Sequence, residues 1–378
     1  MTPSIFAIFM LGLSSVATAA NFTLVYEWSD EWDYEWPSEA TRTQALQNVT
    51  LKPEHIEPRF MAVYGTMIFL SLWNYDGIPV TLVSLPTSSA SSAPPKLTPF
   101  PSWDMHGNGD CNKIEEATGL DVDSVGRLWV LDNGSDNCYA KLWTIDLSNN
   151  DQTKIIHVFP FRKSMHDLVL DETPNETLAY IAWWRERKIV VFSLERNESW
   201  ILDTPGIRVM SIALSPMEEA RQLYVSNWSS NEVYSISVDA LRNGTQTANP
   251  ELIGNWTTSK KPYRMLMDNQ GTMYAAFWWK NYTSSWNSSQ PFQEQRFYQA
   301  AIPNTGLPFT FALDQNGNLW MMVFDVKTKP RHKLLKAAVG AKSYTYEASP
   351  GASGGEAQSR VLINSSVFFV FLLAIAIL

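Results

Sequence analysis

GLDVDSVGRLWVL (Gly119–Leu131) is one of five variants of the same phrase in this chain. An apolar strand ends in Asp or Ser, a turn follows, and a second strand opens with a small residue and an aromatic. The other copies read DLVLDETPNETLAYIAW from Asp167, SIALSPMEEARQLYVSNW from Ser211, RMLMDNQGTMYAAFW from Arg264 and TFALDQNGNLWMMVF from Thr310. A sixth stretch, FMAVYGTMIFLSLW from Phe60, keeps the outline without the acid. Aligned on the aromatic, the copies fall at Trp129, Tyr180, Tyr224, Tyr274 and Trp320, a period of 44 to 51 residues. Such a period marks propeller blades or another repeat array.

The flanks select the β reading. Apolar residues alternate or run for four to six positions and are rich in Val, Ile, Leu, Tyr and Trp, which suits strands. A further strand follows each aromatic, as in ERKIVVFSLE (Glu186–Glu195) and NEVYSISVDAL (Asn231–Leu241). No helical apolar period is sustained over three turns, and the turn signals at Asn269–Gly271 and Asn316–Gly317 argue against helical repeats. Four short strands fill about 45 residues, one blade. The expectation is an all-β chain: one domain, a six-bladed β-propeller over residues 21–340.

The 378 residues include 16 Trp, enough large apolar area to fill the faces between blades. A net charge of −9 speaks against a nucleic-acid partner, which calls for a basic face. The ends indicate a secretory route. Residues 1–20 read as a signal peptide, with an apolar core from Ile5 to Val16 and a small-residue site at Ala17–Ala20. Sequons follow at Asn21, Asn48, Asn133, Asn175, Asn197, Asn227, Asn243, Asn255, Asn281, Asn287 and Asn364. Residues 341–366 read as a small, polar linker, and 367–378 as an apolar tail too short to span a bilayer comfortably. Small site, spacer and tail together form a GPI-anchor signal, with Ser353 as the lipid-bearing residue. A tail-anchored helix from Val361 is the alternative. Cys111 and Cys138 are the whole thiol inventory, and in an oxidising compartment they are expected to pair.

The order of the shorter words resembles the yellow/major royal jelly protein family. LVYEW at Leu24, QALQN at Gln44, GIPVTLVSLP at Gly77 and LTPFPSW at Leu97 precede GRLWVLDNG at Gly126 and KLWTIDL at Lys141. YIAW at Tyr180, NESW at Asn197, SIALSP at Ser211 and GNLW at Gly317 continue the series over about residues 23–325. The chain departs from the family pattern at Val125, Tyr64–Gly65 and Phe324–Asp325, as a divergent member would. The resemblance implies a six-bladed propeller, secreted. It also implies either a biogenic amine or related small aromatic ligand in the channel, or a melanin-pathway conversion of the dopachrome type. An extracellular signalling or pigmentation role without ligand chemistry is a third reading.

Ligand groups in a propeller come from the starts of the innermost strands. Four residues before each repeated Asp or Ser stand Gly119, Asp167, Ser211, Arg264 and Thr310, preceded by Thr118, His166, Met210, Tyr263 and Phe309. His166, Asp167, Ser211, Arg264, Phe309 and Thr310 are the candidate ligand set, and His166 is the candidate base. Asp123, Asp171, Asp268 and Asp314 read as turn-formers. The acidic-aromatic run from Glu27 to Trp36 reads as a surface strand and loop. No metal set, nucleophile motif or nucleotide fingerprint is written in the chain, and no cofactor is implied.

Overall fold

The computed structural model describes residues 20–28, 32–88, 93–107, 109–216, 220–300, 307–324 and 332–343, with backbone alone at 307–309. The expected signal peptide up to Ala19, the linker beyond Ser343, Ser353, Asn364 and the terminal tail lie outside these residues.

Six four-stranded antiparallel sheets form the blades of a propeller. The innermost strands are Pro58–Tyr64, Ala117–Val122, Met165–Glu172, Val209–Leu214, Pro262–Met267 and Leu307–Leu313, for blades 1 to 6 in chain order. The faint sixth copy of the repeat is thus the first blade. Blade 6 is completed by the N-terminal strand Thr23–Trp28, which pairs with His332–Ala338 and closes the ring non-covalently. This corrects the reading of the acidic-aromatic run. Trp28, Trp32 and Tyr34 are buried, while Glu27 and Glu35 stay at the surface. The alternation lets the segment seal a core with one face and solvate the other.

The apolar runs in the sequence arise because each sheet is covered on both sides. In the strand Thr177–Trp183, Leu178, Tyr180 and Ala182 pack toward blade 4, whereas Ala179 and Ile181 pack toward blade 2. Alternate side chains point to opposite faces, so a strand buried on both must be apolar throughout.

The repeated acid and aromatic explain each other. Asp123 accepts from the Arg127 amide at 2.8 Å and from the Trp129 indole at 2.8 Å. Asp314 does the same with the Asn318 amide (2.9 Å) and Trp320 (2.9 Å), and Asp268 with the Thr272 amide (2.8 Å) and Tyr274 hydroxyl (3.0 Å). Each carboxylate caps the turn and satisfies the buried polar tip of the aromatic six residues on. Asp171 differs: besides the Tyr180 hydroxyl it binds Arg221 and Arg242 of blade 4, linking two blades.

Candidate functional site

Every innermost strand carries a register irregularity near its start, at Pro58/Phe60, Ala117/Leu120, Met165/Leu168, Val209/Ile212, Pro262/Arg264 and Pro308/Thr310. An extra residue in a strand re-aims the side chains beside it. Here the irregularity recurs around the axis at the level where the candidate residues stand.

Three levels follow along the channel. At the mouth lies a cavity of about 280 Å³, lined by Arg59, Trp73, Glu116, His166, Trp184 and Trp228, with Asn133, Met210 and the Lys163–Ser164 and Arg185 loops completing it. Next comes a network of innermost-strand side chains. Asp167, fully buried, accepts from the Ser211 hydroxyl (2.5 Å), the Ile212 amide (3.0 Å), the Leu168 amide (3.0 Å) and Arg264 Nη1 (3.0 Å). Ser211 Oγ in turn accepts from the Met265 amide at 2.8 Å. The deepest level is a narrow cavity of about 40 Å³, lined by aliphatic and Met side chains with Asp121 and Arg264. That is room for a few waters, since one occupies roughly 10–15 Å³ by this measure.

The sequence-derived ring is therefore divided. His166 and Met210 face the mouth. Asp167 and Ser211 are spent on holding blades 3, 4 and 5 together. Arg264 belongs both to that network and to the lower cavity, and its guanidinium also lies 5.0 Å from the Phe60 ring. Thr310 is buried with Oγ1 unpartnered, Thr118 donates to the Leu131 carbonyl (3.1 Å), and the Phe309 side chain lies outside the described residues. Gly119 is needed for close approach: a Cβ there would stand 2.7 Å from the Leu168 nitrogen of the next blade.

The residues missed by sequence reading are those of the mouth wall. Counted four on from the repeat aromatic, with Phe69 serving in blade 1, the six blades carry Trp73, Asn133, Trp184, Trp228, Trp278 and Phe324. This periodic signal was present in the chain, but only ring closure brings the positions together. Trp184 and Trp228 stack at 4.7 Å, and Tyr263 joins Trp73 and Trp278 at 6.3 and 5.3 Å. Lys261 Nζ lies 2.7 Å from the Trp228 ring centre and 5.1 Å from that of Trp278.

The mouth is cationic. Arg59, 3% exposed, covers the Trp73 ring at 4.3 Å and donates one bond to Glu116 (3.0 Å), leaving Nε unpartnered. Glu116 also accepts from the Asn133 amide (3.2 Å), so the one carboxylate lining the cup is engaged. His166 is 1% exposed and sits edge-on to Phe60 and Tyr263 at 5.0 and 5.5 Å. Neither of its ring nitrogens makes a well-directed hydrogen bond, the Met210 backbone being the polar group that faces it. Burial, then the Arg59 and Arg264 charges, holds the imidazole well below its ordinary pKa and hence neutral. Burial also raises Asp121 to about 7 and, with Lys260 beside it, lowers Lys261 to about 8. No group of three or more metal-ligating side chains occurs among the described residues.

The expected disulfide is present between Cys111 and Cys138. Asn133 and Asn227 are buried, and their side-chain carbonyls accept from the Met165 and Arg208 amides, so a glycan at either needs local opening. Asn21, Asn48, Asn175, Asn197, Asn243, Asn255 and Asn287 are exposed, and Asn281 is half-buried.

The chain is similar in sequence to known proteins. The Protein yellow of Drosophila melanogaster is 24% identical over 345 residues, covering 79% of this chain and 63% of its own length. That of Drosophila guanche is 24% identical over 348 residues, with 79% and 60% covered. The chain thus spans less than two thirds of the length of these curated relatives. Among solved structures, the luciferin-regenerating enzyme aligns at 10% identity and a TM-score of 0.48, covering 76% of this chain and 92% of that one. Virginiamycin B lyase from Staphylococcus aureus aligns at 13% identity and 0.46, covering 73% and 83%. The sequence model of the major royal jelly protein family matches residues 116–209 and 203–334, and the chain belongs to that family.

Proposed function

We propose that this yellow-type protein is extracellular and holds a small planar aromatic molecule bearing a negative group in the mouth of its propeller. The observation that carries the reading is the pair of buried, unpartnered donors at an aromatic-walled cup, Arg59 Nε and Trp73 Nε1, with the neutral imidazole of His166 beside them. Buried donors left open in a native protein call for a ligand or water. The cup's size stands at the lower edge of the range for small-molecule sites, about 300 Å³. A protonated amine suits it less well. Such an amine would meet Arg59 and find Glu116 and Asp167 already paired, so like charge disfavours it. The disulfide and the exposed sequons support the extracellular placement. A GPI anchor at Ser353 is proposed on the sequence signal alone, and phospholipase release from a cell surface tests it.

Calorimetric titration with indole-2-carboxylate, serotonin, dopamine and octopamine separates the ligand classes. Heat with the carboxylate that is lost in Arg59→Met supports the anionic reading. Heat with the amines alone overturns it. Dopachrome-type isomerisation is a second reading, favoured by the neutral imidazole of His166 facing the cup, which could accept a proton from a bound ring. Equal dopachrome decay with wild type and His166→Ala removes that role.

A further inference from the structure

We propose that the rim of the mouth across blades 3 to 5 is a docking surface for a sulfated polysaccharide chain. The surface borders the cup on that side and stands whether or not the cup holds a small ligand.

Strand direction places its residues. Each innermost strand starts at the mouth, so the second strand returns there, and the hairpin after it and the link into the next blade both stand at that end. For blades 3 to 5 these are the links 159–164, 204–208 and 256–261 and the hairpins 184–187, 228–231 and 278–281. The first link and first hairpin carry Arg162, Lys163, Arg185 and Arg187, with Glu186 the one acid in any of these segments. The others add Arg208, Lys260, Lys261 and Lys280. A chain of net charge −9 thus gathers cations on one side of one face. On the side of blades 1 and 2 the balance reverses, with Asp76, Asp104, Asp110, Glu115 and Glu116 at the same end.

The segments touch one another. Phe161 stacks on Trp183 at 4.0 Å, Trp184 on Trp228 at 4.7 Å, and Lys261 lies between Trp228 and Trp278. Among the described residues, Lys163 alone of these cations is ion-paired, with Asp136 at 2.5 Å. Arg162, Arg185, Arg187 and Lys260 are exposed. Arg162 and Arg185 lie over the Tyr139 and Trp184 rings at 4.8 and 5.0 Å, contacts that hold a guanidinium in place without neutralising it. A row of unneutralised cations attracts a linear polyanion and releases its counterions when the two meet.

Two observations favour a sugar chain. The rim indoles are occupied by one another, by Lys261 and by Tyr263, which leaves Trp279 as the one exposed indole on this side among the described residues. One open ring is too few for the stacking path of a single-stranded nucleic acid or for the apolar face of a membrane-bound surface. The exposed sequons Asn175, Asn197, Asn243 and Asn287 stand at the opposite end of blades 3 to 5. At the mouth end Asn227 is buried, Asn281 half-buried, and the exposed Asn255 lies on an outermost strand, so N-glycans leave the middle of the rim open. The choice of a sulfated sugar among polyanions rests on the extracellular placement, which secretion into the medium reads separately.

The test measures binding of the whole secreted protein to immobilised heparin, hyaluronan (carboxylate without sulfate), a single-stranded oligodeoxynucleotide and phosphatidylserine vesicles across a salt series. Heparin is expected to bind most tightly. Arg187→Glu/Lys260→Glu should weaken that binding by about tenfold or more and make its salt dependence shallower. Arg187→Gln/Lys260→Gln, which removes the charges without reversing them, should give a smaller loss. The matched reversal Lys154→Glu/Lys342→Glu, on exposed lysines away from the rim, should retain binding. Melting curves that coincide with wild type separate lost docking from lost folding. Absence of heparin binding, equal losses in the two reversed pairs, or tighter binding to hyaluronan, the oligonucleotide or the vesicles overturns the proposal. Calorimetry with indole-2-carboxylate reads the cup on its own, so the rim and the cup can fail independently.

Discussion

Replacing Arg264 by Met should be among the most damaging single changes to the propeller's interior. The guanidinium is 4% exposed and donates at 3.0 Å to Asp167, whose carboxylate is fully buried. Removing it leaves Asp167 with the Ser211 hydroxyl and the Leu168 and Ile212 amides but no counter-charge. Breaking one side of a buried ion pair costs about 3–5 kcal/mol, and loss of the contact with Phe60 adds roughly 0.5–1 kcal/mol. For a domain of this size the melting temperature should fall by roughly 6–12 °C. The sign of the pH dependence is fixed by Asp167. Burial raises its folded pKa above the unfolded value, and losing Arg264 raises it further. The deficit is therefore smallest below about pH 4, where the carboxyl is protonated in both states, and grows as pH rises through the folded pKa. Urea denaturation of wild type, Arg264→Met, Asp167→Asn and the double variant at pH 4 and 7 measures it. A loss under about 1 kcal/mol at pH 7, or single losses that simply add in the double variant, would refute the reasoning.

Gly119→Ala should destabilise by about 1–3 kcal/mol in the same assay, because its Cβ would press on the Leu168 backbone of the next blade. His166 and His106 are both held below their ordinary pKa by burial, His106 to about 4, so the unfolded chain binds their protons more readily. The contribution of these two imidazoles to stability should then be level above about pH 6.5 and decline as pH falls below it, read as a smaller acid loss in His166→Phe than in wild type. Removing the Cys111–Cys138 bridge by double Ser substitution should cost about 3.5 kcal/mol on the loop-entropy model for a separation of 27 residues, read as a lower denaturation midpoint. In secreted protein, Asn197→Gln should increase gel mobility and Asn133→Gln should not, since the first side chain is exposed and the second is buried and bonded.

The blade count and the turn chemistry were written locally. A strand covered on both faces must be apolar, and a tight turn before a buried Trp or Tyr needs an acceptor, so the Asp-to-aromatic phrase recurs in blades 2, 5 and 6 and, with a longer turn, in blade 3. Closure was not local. The strand Thr23–Trp28 is half polar and looks like surface until its partner, more than 300 residues away, supplies the other half of its core. The site was legible in part. Counting back from the repeat found the level of the channel where His166, Asp167, Ser211 and Arg264 meet. It could not tell a mouth residue from a tie between blades, because the recurring strand irregularity at that level breaks strict alternation. The aromatic wall of the mouth comes from one position in each of several blades, and its cations from the start of the first innermost strand, at Arg59, and from the loops that carry Lys163 and Arg185. Such a surface exists only once the six sheets close around an axis, so sequence set the parts and the ring decided which of them face one another.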